Sequence, residues 1–351
     1  MNSALINKQT INSRSTLREA LEKLNNVPDN LTLFVTDDDA RLSGALTDGD
    51  IRRGLLRGLD LNDTVDKFMY RQFRYLTKNE FTLEQVRELK NSRIKLVPLV
   101  NSNMEILRLI DLGKYKSVLP LDVIIMAGGK GERLKPLTDN MPKPLLNIGD
   151  KPILEHNLRH IAAYGVNKVY ICVNYLGNMI MDYFGDGSNL DLDIEYIEEP
   201  EPLGTLGAAS LIGNIEYNQV LLMNADVLTN IDLEDFYSEF DSSNSMMSVA
   251  SVPYKINMPF AVLETAENRV LAFSEKPEYT FYTNAGIYLL KKELLSRIPD
   301  NSIYHATDLM QDLLDKKEKL TQYSIHGFWM DIGRKEDFQR AQQEIKHLSI
   351  K

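Results

Sequence analysis

The stretch Asp122–Leu146, DVIIMAGGKGERLKPLTDNMPKPLL, decides the fold of this 351-residue chain. It opens on Val123-Ile124-Ile125-Met126, an apolar run without alternation, as expected of a strand buried on both faces of a parallel sheet. The run passes into Ala127-Gly128-Gly129-Lys130-Gly131, where glycine permits positive φ and a close approach of backbone to a ligand. Successive N–H groups in such a turn form an anion-binding concavity, and Lys130, Arg133, Lys135 and Lys143 add positive charge. The ligand this predicts is a polyphosphate. Pro136, Pro142 and Pro144 forbid a regular helix after Arg133, which puts Lys143 on an extended, stiffened arm.

Two common glycine loops do not fit. A dinucleotide loop needs glycine three places beyond Gly131, where Leu134 stands, and a Walker loop needs Ser or Thr after its GK. Downstream, strand and helix patterns alternate: a helix from Pro152 to about Tyr164, a strand at 168–174, a helix near 176–184 and a strand at 193–198. This is the pattern of a doubly wound, Rossmann-like α/β sheet. Gln219–Asp226 reads as another buried strand, with Asp226 at its carboxyl end, where open α/β sheets bind ligands. Glu199-Pro200-Glu201-Pro202-Leu203-Gly204-Thr205 reads as a rigid turn feeding a helix of small residues, against which a flat ligand can lie.

Composition narrows the function. The formal charge of −10 disfavours general nucleic-acid binding, so the basic loop stands out against an acidic whole. The one cysteine, Cys172, lies in the apolar run Val169–Val173 and reads as a buried thiol; no disulfide framework is open to the chain. The N-terminal residues lack the apolar core of a signal peptide and no apolar run is long enough to span a membrane, so a soluble, cytoplasmic protein is expected. His156 and His160 stand four apart, but without the Glu of an HExxH motif they read as a packed or solvated helix face.

Residues 1–115 carry an internal repeat and are expected to form their own domain, with 121–351 as a second and Gly113–Pro120 as linker. Thr16 and Thr82 each open an amphipathic helix as N-cap, and each helix is followed by an apolar strand, a polar turn and a second strand ending at Asp48 or Asp111. The copies are offset by 66 residues at the helices and 63 at the aspartates.

Taken in order, GGxGxR, PLT and PKPLL resemble the sugar-1-phosphate nucleotidyltransferases, and the resemblance runs from Asp122 to the C-terminus. It implies the nucleotide-diphospho-sugar transferase fold, a mixed doubly wound sheet, and the reaction of a nucleoside triphosphate with a sugar 1-phosphate to give a nucleoside-diphosphate sugar and pyrophosphate. Gly128, Gly129 and Gly131 would then cradle phosphates, Arg133 would stabilise the reacting charge, and Lys143 would align the sugar phosphate or α-phosphate. Asp226 and Asp331, the latter in Trp329-Met330-Asp331-Ile332-Gly333, would hold Mg2+. Phe273-Ser274-Glu275-Lys276-Pro277 matches the family's EKP element and Asn284-Ala285-Gly286-Ile287-Tyr288 its NAGIY strand, which implies sugar contacts from Glu275, Lys276 and Asn284. PLGTxGA around Gly204 and Thr205 resembles the base- and sugar-facing loop of guanylyltransferase-type members and implies guanine or uracil over thymine, with GTP the favoured nucleotide of the whole resemblance.

The N-terminal repeat resembles a tandem CBS pair, most clearly in Gly44–Arg53. That implies an adenine nucleotide held by Thr47 and Asp50 and a homo-oligomer; against it stands the simpler role of Asp48 or Asp50 as cap of a helix starting at Ile51. The combined arrangement resembles guanylyltransferases feeding nonulosonic-acid (legionaminic-acid-type) surface glycans, which implies glucosamine 1-phosphate as second substrate. Mannose, heptose or N-acetylglucosamine 1-phosphate, UTP in place of GTP, and an inactive nucleotide-sensing regulator are the alternatives.

Overall fold

The computed structural model describes residues 2–27 and 31–345, with side chains from residue 5 onward. The chain divides into two compact units, Met1–Pro120 with Ala162–Asn167, and Leu121–Ile161 with Lys168–Lys351. The division is therefore not the single cut expected from sequence. Ala162–Asn167 groups with the first unit, where Lys116 N–H donates to Ala163 O (2.6 Å) and Leu119 N–H to Tyr164 O (3.0 Å). The expected linker is buried from Ser117 to Pro120.

In the first unit the repeat is real. Strands Thr10–Asn12, Thr32–Thr36 and Leu42–Thr47 form one three-stranded sheet, and Leu76–Thr77, Leu96–Val100 and Ile106–Asp111 form another with the same parallel-then-antiparallel pairing. Thr16 and Thr82 cap their helices as expected, each in a reciprocal capping box with the residue three positions on, Glu19 or Gln85. The third helix, Asp48–Leu56, corrects the expected start at Ile51: its N-cap is Thr47.

The second unit is built on a seven-stranded mixed sheet. In chain order its elements are β1 (Asp122–Met126), α1 (Ile153–Ala162), β2 (Lys168–Val173), α2 (Gly177–Phe184), β3 (Asp193–Glu198), β4 (Gln219–Asn224), β5 (Val227–Thr229), α3 (Leu233–Ser243), β6 (Met247–Asn257), β7 (Val262–Ala266), β8 (Arg269–Ser274), β9 (Glu278–Lys291), α4 (Ala306–Asp315), β10 (Leu320–Ser324), β11 (Trp329–Asp331) and α5 (Lys335–Glu344). The expected last helix reached His347, which lies outside the described residues. The sheet order is β3-β2-β1-β4-β9-β6-β10; β3 to β4 run parallel, and β9 is antiparallel to both its neighbours. Residues 122–125 are buried, as an apolar run covered on both faces requires.

Helix α1 begins one residue later than expected, because Pro152 instead pairs with Asn147 in a short hairpin; its apolar residues Ile153, Leu154, Leu158 and Ile161 are buried as the periodicity predicted. The expected small-residue helix is only a 3-10 turn, Gly207–Leu211. Gly207 there leaves no room for a side chain, since a Cβ would stand 2.6 Å from Ser302 O. Cys172 is fully buried in β2, and burial pushes its thiol far up. Among the described residues, no helix is long and apolar enough to cross a membrane.

Candidate active site

The site is assembled at the carboxyl ends of β1, β4 and β3. As β1 ends, Ala127 N–H still bonds Cys172 O (2.8 Å), but from Gly128 the chain leaves the sheet. Gly131 takes φ +64 and opens a 3-10 turn, Glu132–Leu134, that carries Arg133. Thr138 Oγ1 closes the loop on Gly131 O at 2.9 Å. A Cβ on Gly131 would stand 2.9 Å from Thr138 Cγ2 and 3.2 Å from Lys143 Cβ, so this glycine is fixed by φ and by packing together. Lys143 is not on an extended arm. It starts a second 3-10 turn, Lys143–Leu145, and is 7% exposed, because Pro142 and Pro144 set the turn and the lysine stem is packed beneath the loop.

Lys143 bonds one carboxylate and lies near a second. Asp226 follows β4, and its Oδ2 accepts from Lys143 Nζ at 2.5 Å. Asp331 arrives from 105 residues later because β5 pairs antiparallel with β11, setting Val227 opposite Asp331, and Ile332 N–H donates to Asp226 O (3.1 Å). The WMDIG segment is fastened at its other end by Trp329 Nε1, which donates to Ala285 O (2.9 Å). At Gly333 the backbone runs beside both Asp331 Oδ2 and Arg133 Nη1, which would lie 3.2 and 3.7 Å from a Cβ there. Asp331 keeps part of its surface exposed, yet protein surrounds the carboxyl closely enough that desolvation, followed by the charge of Asp226, raises its pKa; Lys143 and Arg133 pull the other way. The arrangement is a like-charge pair only partly compensated by cations.

The cleft encloses about 270 Å³. Gly128, Gly129, Lys143, Asp226, Glu199, Gly204 and Thr205 are among the residues lining it. Gly204 holds φ +84 against Tyr304 O, and Thr205 Oγ1 accepts from Ala306 N–H (3.1 Å), tying this wall to the start of α4. Sequence reasoning passed over Glu199. It is buried at the end of β3, with Oε2 accepting from Leu203 N–H (3.0 Å), and desolvation raises its pKa against that hydrogen bond. Its Oε1 would be 2.5 Å from a Cβ on Gly128, so Glu199 touches the phosphate loop itself. The signal that could have found it is its place at the carboxyl end of the strand two away from β1. Asn224, also on the lining, packs its amide against Gly286.

Other expected site residues lie elsewhere. Glu275 and Lys276 occupy the exposed turn between β8 and β9 and are absent from the cleft lining. Asn284 is exposed; its amide donates to Tyr288 Oη (2.9 Å) and its Oδ1 accepts from Gly286 N–H (2.9 Å). In the first unit, Asp50 Oδ2 accepts from Thr47 N–H (2.9 Å) and Oδ1 from Arg53 (2.6 Å), so Asp50 serves the helix start and an ion pair. Thr47, unlike Asp50, lines a separate cavity of about 860 Å³ with Phe34, Tyr70, Arg74, Arg93 and Lys95. His156 and His160 are buried on α1 and hydrogen bonded to Ile148 O (2.8 Å) and Ile231 O (2.7 Å), the packed alternative of the sequence reading.

A glycine loop at the end of a central parallel strand, a buried lysine packed beneath it and two nearby carboxylates mark the cleft of a doubly wound α/β domain. The chain belongs to the nucleotidyl transferase family, whose pattern matches residues 122–347; a CBS domain pattern matches 1–57. It is 35% identical over 231 residues to a mannose-1-phosphate guanylyltransferase of Mycobacterium tuberculosis, covering 64% of this chain and 64% of that protein. The match thus spans less than two thirds of that relative's length. It is 29% identical over 232 residues to a D-glycero-alpha-D-manno-heptose 1-phosphate guanylyltransferase of Aneurinibacillus thermoaerophilus, covering 65% of this chain and 99% of the relative. The crystal structure of HddC from Yersinia pseudotuberculosis superposes with a TM-score of 0.51 at 26% identity, covering 64% of this chain and 99% of that one.

Proposed function

We propose that the chain joins a nucleoside triphosphate to a sugar 1-phosphate, releasing pyrophosphate, with GTP and glucosamine 1-phosphate as the leading pair. The observation that carries the reading is a cleft lined by the glycine loop, Lys143 and Asp226, with Asp331 brought beside Asp226 by the pairing of β5 with β11. The attacking phosphate oxygen is already an anion at neutral pH, so no residue has to generate it. What the site must do is neutralise and align two anions. Lys143 and Arg133 supply fixed positive charge, the planar guanidinium suiting phosphate oxygens. Gly128 and Gly129 line the cleft that would take the triphosphate.

The donor set suits Mg2+. Asp226 and Asp331 are two hard oxygen ligands whose mutual repulsion a divalent cation would relieve, and magnesium commonly takes one or two carboxylates with water and substrate phosphates completing its shell. Among the described residues, no group of three or more His, Cys, Asp or Glu gathers as a closed metal cage. When bound, Mg2+ would polarise the α-phosphate and offset its developing charge. The guanine preference is supported by the guanylyltransferase names of relatives. A pyrophosphate-release screen of GTP, UTP, CTP, dTTP and ATP against glucosamine, N-acetylglucosamine, mannose and heptose 1-phosphates tests it. Release with UTP exceeding that with GTP would reject the base assignment, and silence throughout would favour a regulator.

A second reading concerns the first unit. Its 860 Å³ cavity combines the rings of Phe34 and Tyr70 with Arg74, Arg93 and Lys95, a composition suited to a base and its phosphates, which supports an adenine nucleotide there through Thr47 but not Asp50. Calorimetric titration of the full chain with ATP, ADP and AMP tests this, and no heat with any of them leaves the unit a structural role.

A further inference from the structure

Asp226 and Asp331 owe their meeting to a small piece of structure. Among the described residues, β5 and β11 form a sheet of two strands, three residues each. Two-stranded ribbons are marginal in water on their own, so where this one stands is set by what grips it. On one face Leu228 and Met330 join a buried cluster with Ile153 of α1 and Leu134 of the phosphate loop. A second grip, a polar one, also comes from α1.

Ile332 N–H donates to Asp226 O and Asn230 N–H to Phe328 O, both at 3.1 Å. These bonds bracket the ribbon so that Val227 and Asp331 form a non-hydrogen-bonded pair, with Cα atoms about 4.5 Å apart and carbonyls turned away from the partner strand. Val227 O therefore lies on the outer edge of β5, where the ladder offers it no donor. Asn157 of α1 supplies one: its Nδ2 donates to Val227 O at 2.6 Å. Asp226 O is held from the chain just after Asp331, and Val227 O is held from α1, so the two successive peptide planes leading out of Asp226 are both fixed.

For packing alone, Asn157 is a costly residue. It is 2% exposed on a helix whose Ile153, Leu154, Leu158 and Ile161 are each no more than 1% exposed. Asparagine is a weak helix former, and a buried amide gives up its hydration. Its Oδ1 has no hydrogen-bond partner among the described residues, so only the donor half of the group is used. Departures from local rules of this kind mark places where a residue serves a site more than stability. His160, one turn further along α1, donates to Ile231 O (2.7 Å), past the end of β5, and its grip does not reach the backbone at Val227.

We propose that Asn157 is a positioning residue for the carboxylate pair: by holding Val227 O, its amide fixes the spacing of Asp226 and Asp331 that a divalent cation requires. Asn157 is absent from the cleft lining and acts through the backbone of β5. Magnesium makes the spacing matter, because it demands near-ideal octahedral geometry with oxygens at about 2.0–2.1 Å. The inference rests on the nucleotidyl-transfer reading of the cleft.

The test titrates Mn2+, which shares magnesium's preference for octahedral oxygen ligands, into the full-length protein without nucleotide and counts the free ion by electron paramagnetic resonance. Wild type is compared with Asn157→Leu, Asn157→Ala and His160→Ala, the last losing a buried bond on the same helix. Leucine fills the volume of the amide and alanine leaves it empty, so agreement between the two separates the lost bond from altered packing. Both Asn157 variants should bind Mn2+ roughly 10–100-fold more weakly than wild type, as expected when a partner that orients metal ligands is removed, and His160→Ala should bind as wild type does. In turnover assays the Asn157 variants should need correspondingly more Mg2+ and approach wild-type kcat once it saturates, with GTP affinity in EDTA unchanged. Wild-type Mn2+ affinity in either Asn157 variant, or an equal loss in His160→Ala, would overturn the proposal. Failure of the underlying reading has its own signature: wild type and Asp226→Asn would bind Mn2+ alike, and the inference would fall with it.

Discussion

Replacing Lys143 by Met removes one charge and keeps the unbranched stem, which separates electrostatics from packing. The stem matters because Lys143 is 7% exposed and its Cβ abuts Gly131. The charge matters because the ammonium is bonded to Asp226 and also lowers the pKa of Asp331. Loss of a preorganised group that stabilises reacting charge costs about 3–4 kcal/mol of barrier, or roughly 10²–10³ in kcat. The stability change should be smaller, about 1–2 kcal/mol, because Asp226 keeps 31% of its side chain in contact with solvent and can rehydrate. There is also a pH signature. With Lys143 gone, Asp331 loses the largest influence lowering its pKa, so its ionisation moves to higher pH. The acid limb of kcat against pH, measured by pyrophosphate release at saturating substrates and Mg2+, should shift upward by a resolvable amount. A variant that folds, turns over within threefold of wild type and keeps its acid limb would refute the reasoning.

Asp331→Asn should raise the melting temperature at pH 7 in EDTA. A carboxyl whose folded pKa is raised binds its proton more tightly in the native state, so stability declines as pH climbs from the unfolded value through the folded one, and amide substitution removes that decline. Mg2+ should stabilise wild type but not this variant; equal magnesium shifts would remove Asp331 from the metal site. Gly131→Ala places an L side chain at φ +64 and its Cβ 2.9 Å from Thr138 Cγ2, so a loss of about 1–2 kcal/mol by urea denaturation, with weakened nucleotide binding, is expected; unchanged stability would contradict the loop geometry. His160→Ala leaves Ile231 O without the imidazole partner in a buried setting, at a cost of about 1–3 kcal/mol, while the magnesium dependence of turnover stays that of wild type. A changed metal dependence would reopen the histidines as ligands.

How much of this was legible follows from the range of the interactions. The buried strand Asp122–Met126, the capped repeat of the first unit and the helix face of Ile153–Ile161 are set by local period and cap chemistry, and they stand where the pattern put them. The meeting of Asp226 with Asp331 depends on β5 pairing with β11 across a hundred residues, which no local pattern specifies; resemblance supplied it. Lys143 was misplaced because prolines were read as extending the chain, whereas Pro142 and Pro144 flank a 3-10 turn that buries it. Glu199 was hidden inside a Pro-Glu-Pro segment that reads as a turn, since its value comes from touching Gly128, seventy-one positions away. Glu275 and Lys276, given sugar contacts by resemblance, sit in the exposed turn that follows β8, next to the ribbon of β6 and β9, and are absent from the cleft lining. The alternation of Tyr254 with Ile256 and of Tyr279 with Phe281 was the local sign of that ribbon.

In the proposed reaction, fixed cations and two carboxylates from distant segments act on one phosphorus centre. Pyrophosphate release by wild type and Asp226→Asn, side by side with GTP, glucosamine 1-phosphate and Mg2+, tests it most directly. Release that requires both substrates in wild type and falls at least about a hundredfold in the folded variant is the predicted result. Undiminished release after removal of that carboxylate would contradict it.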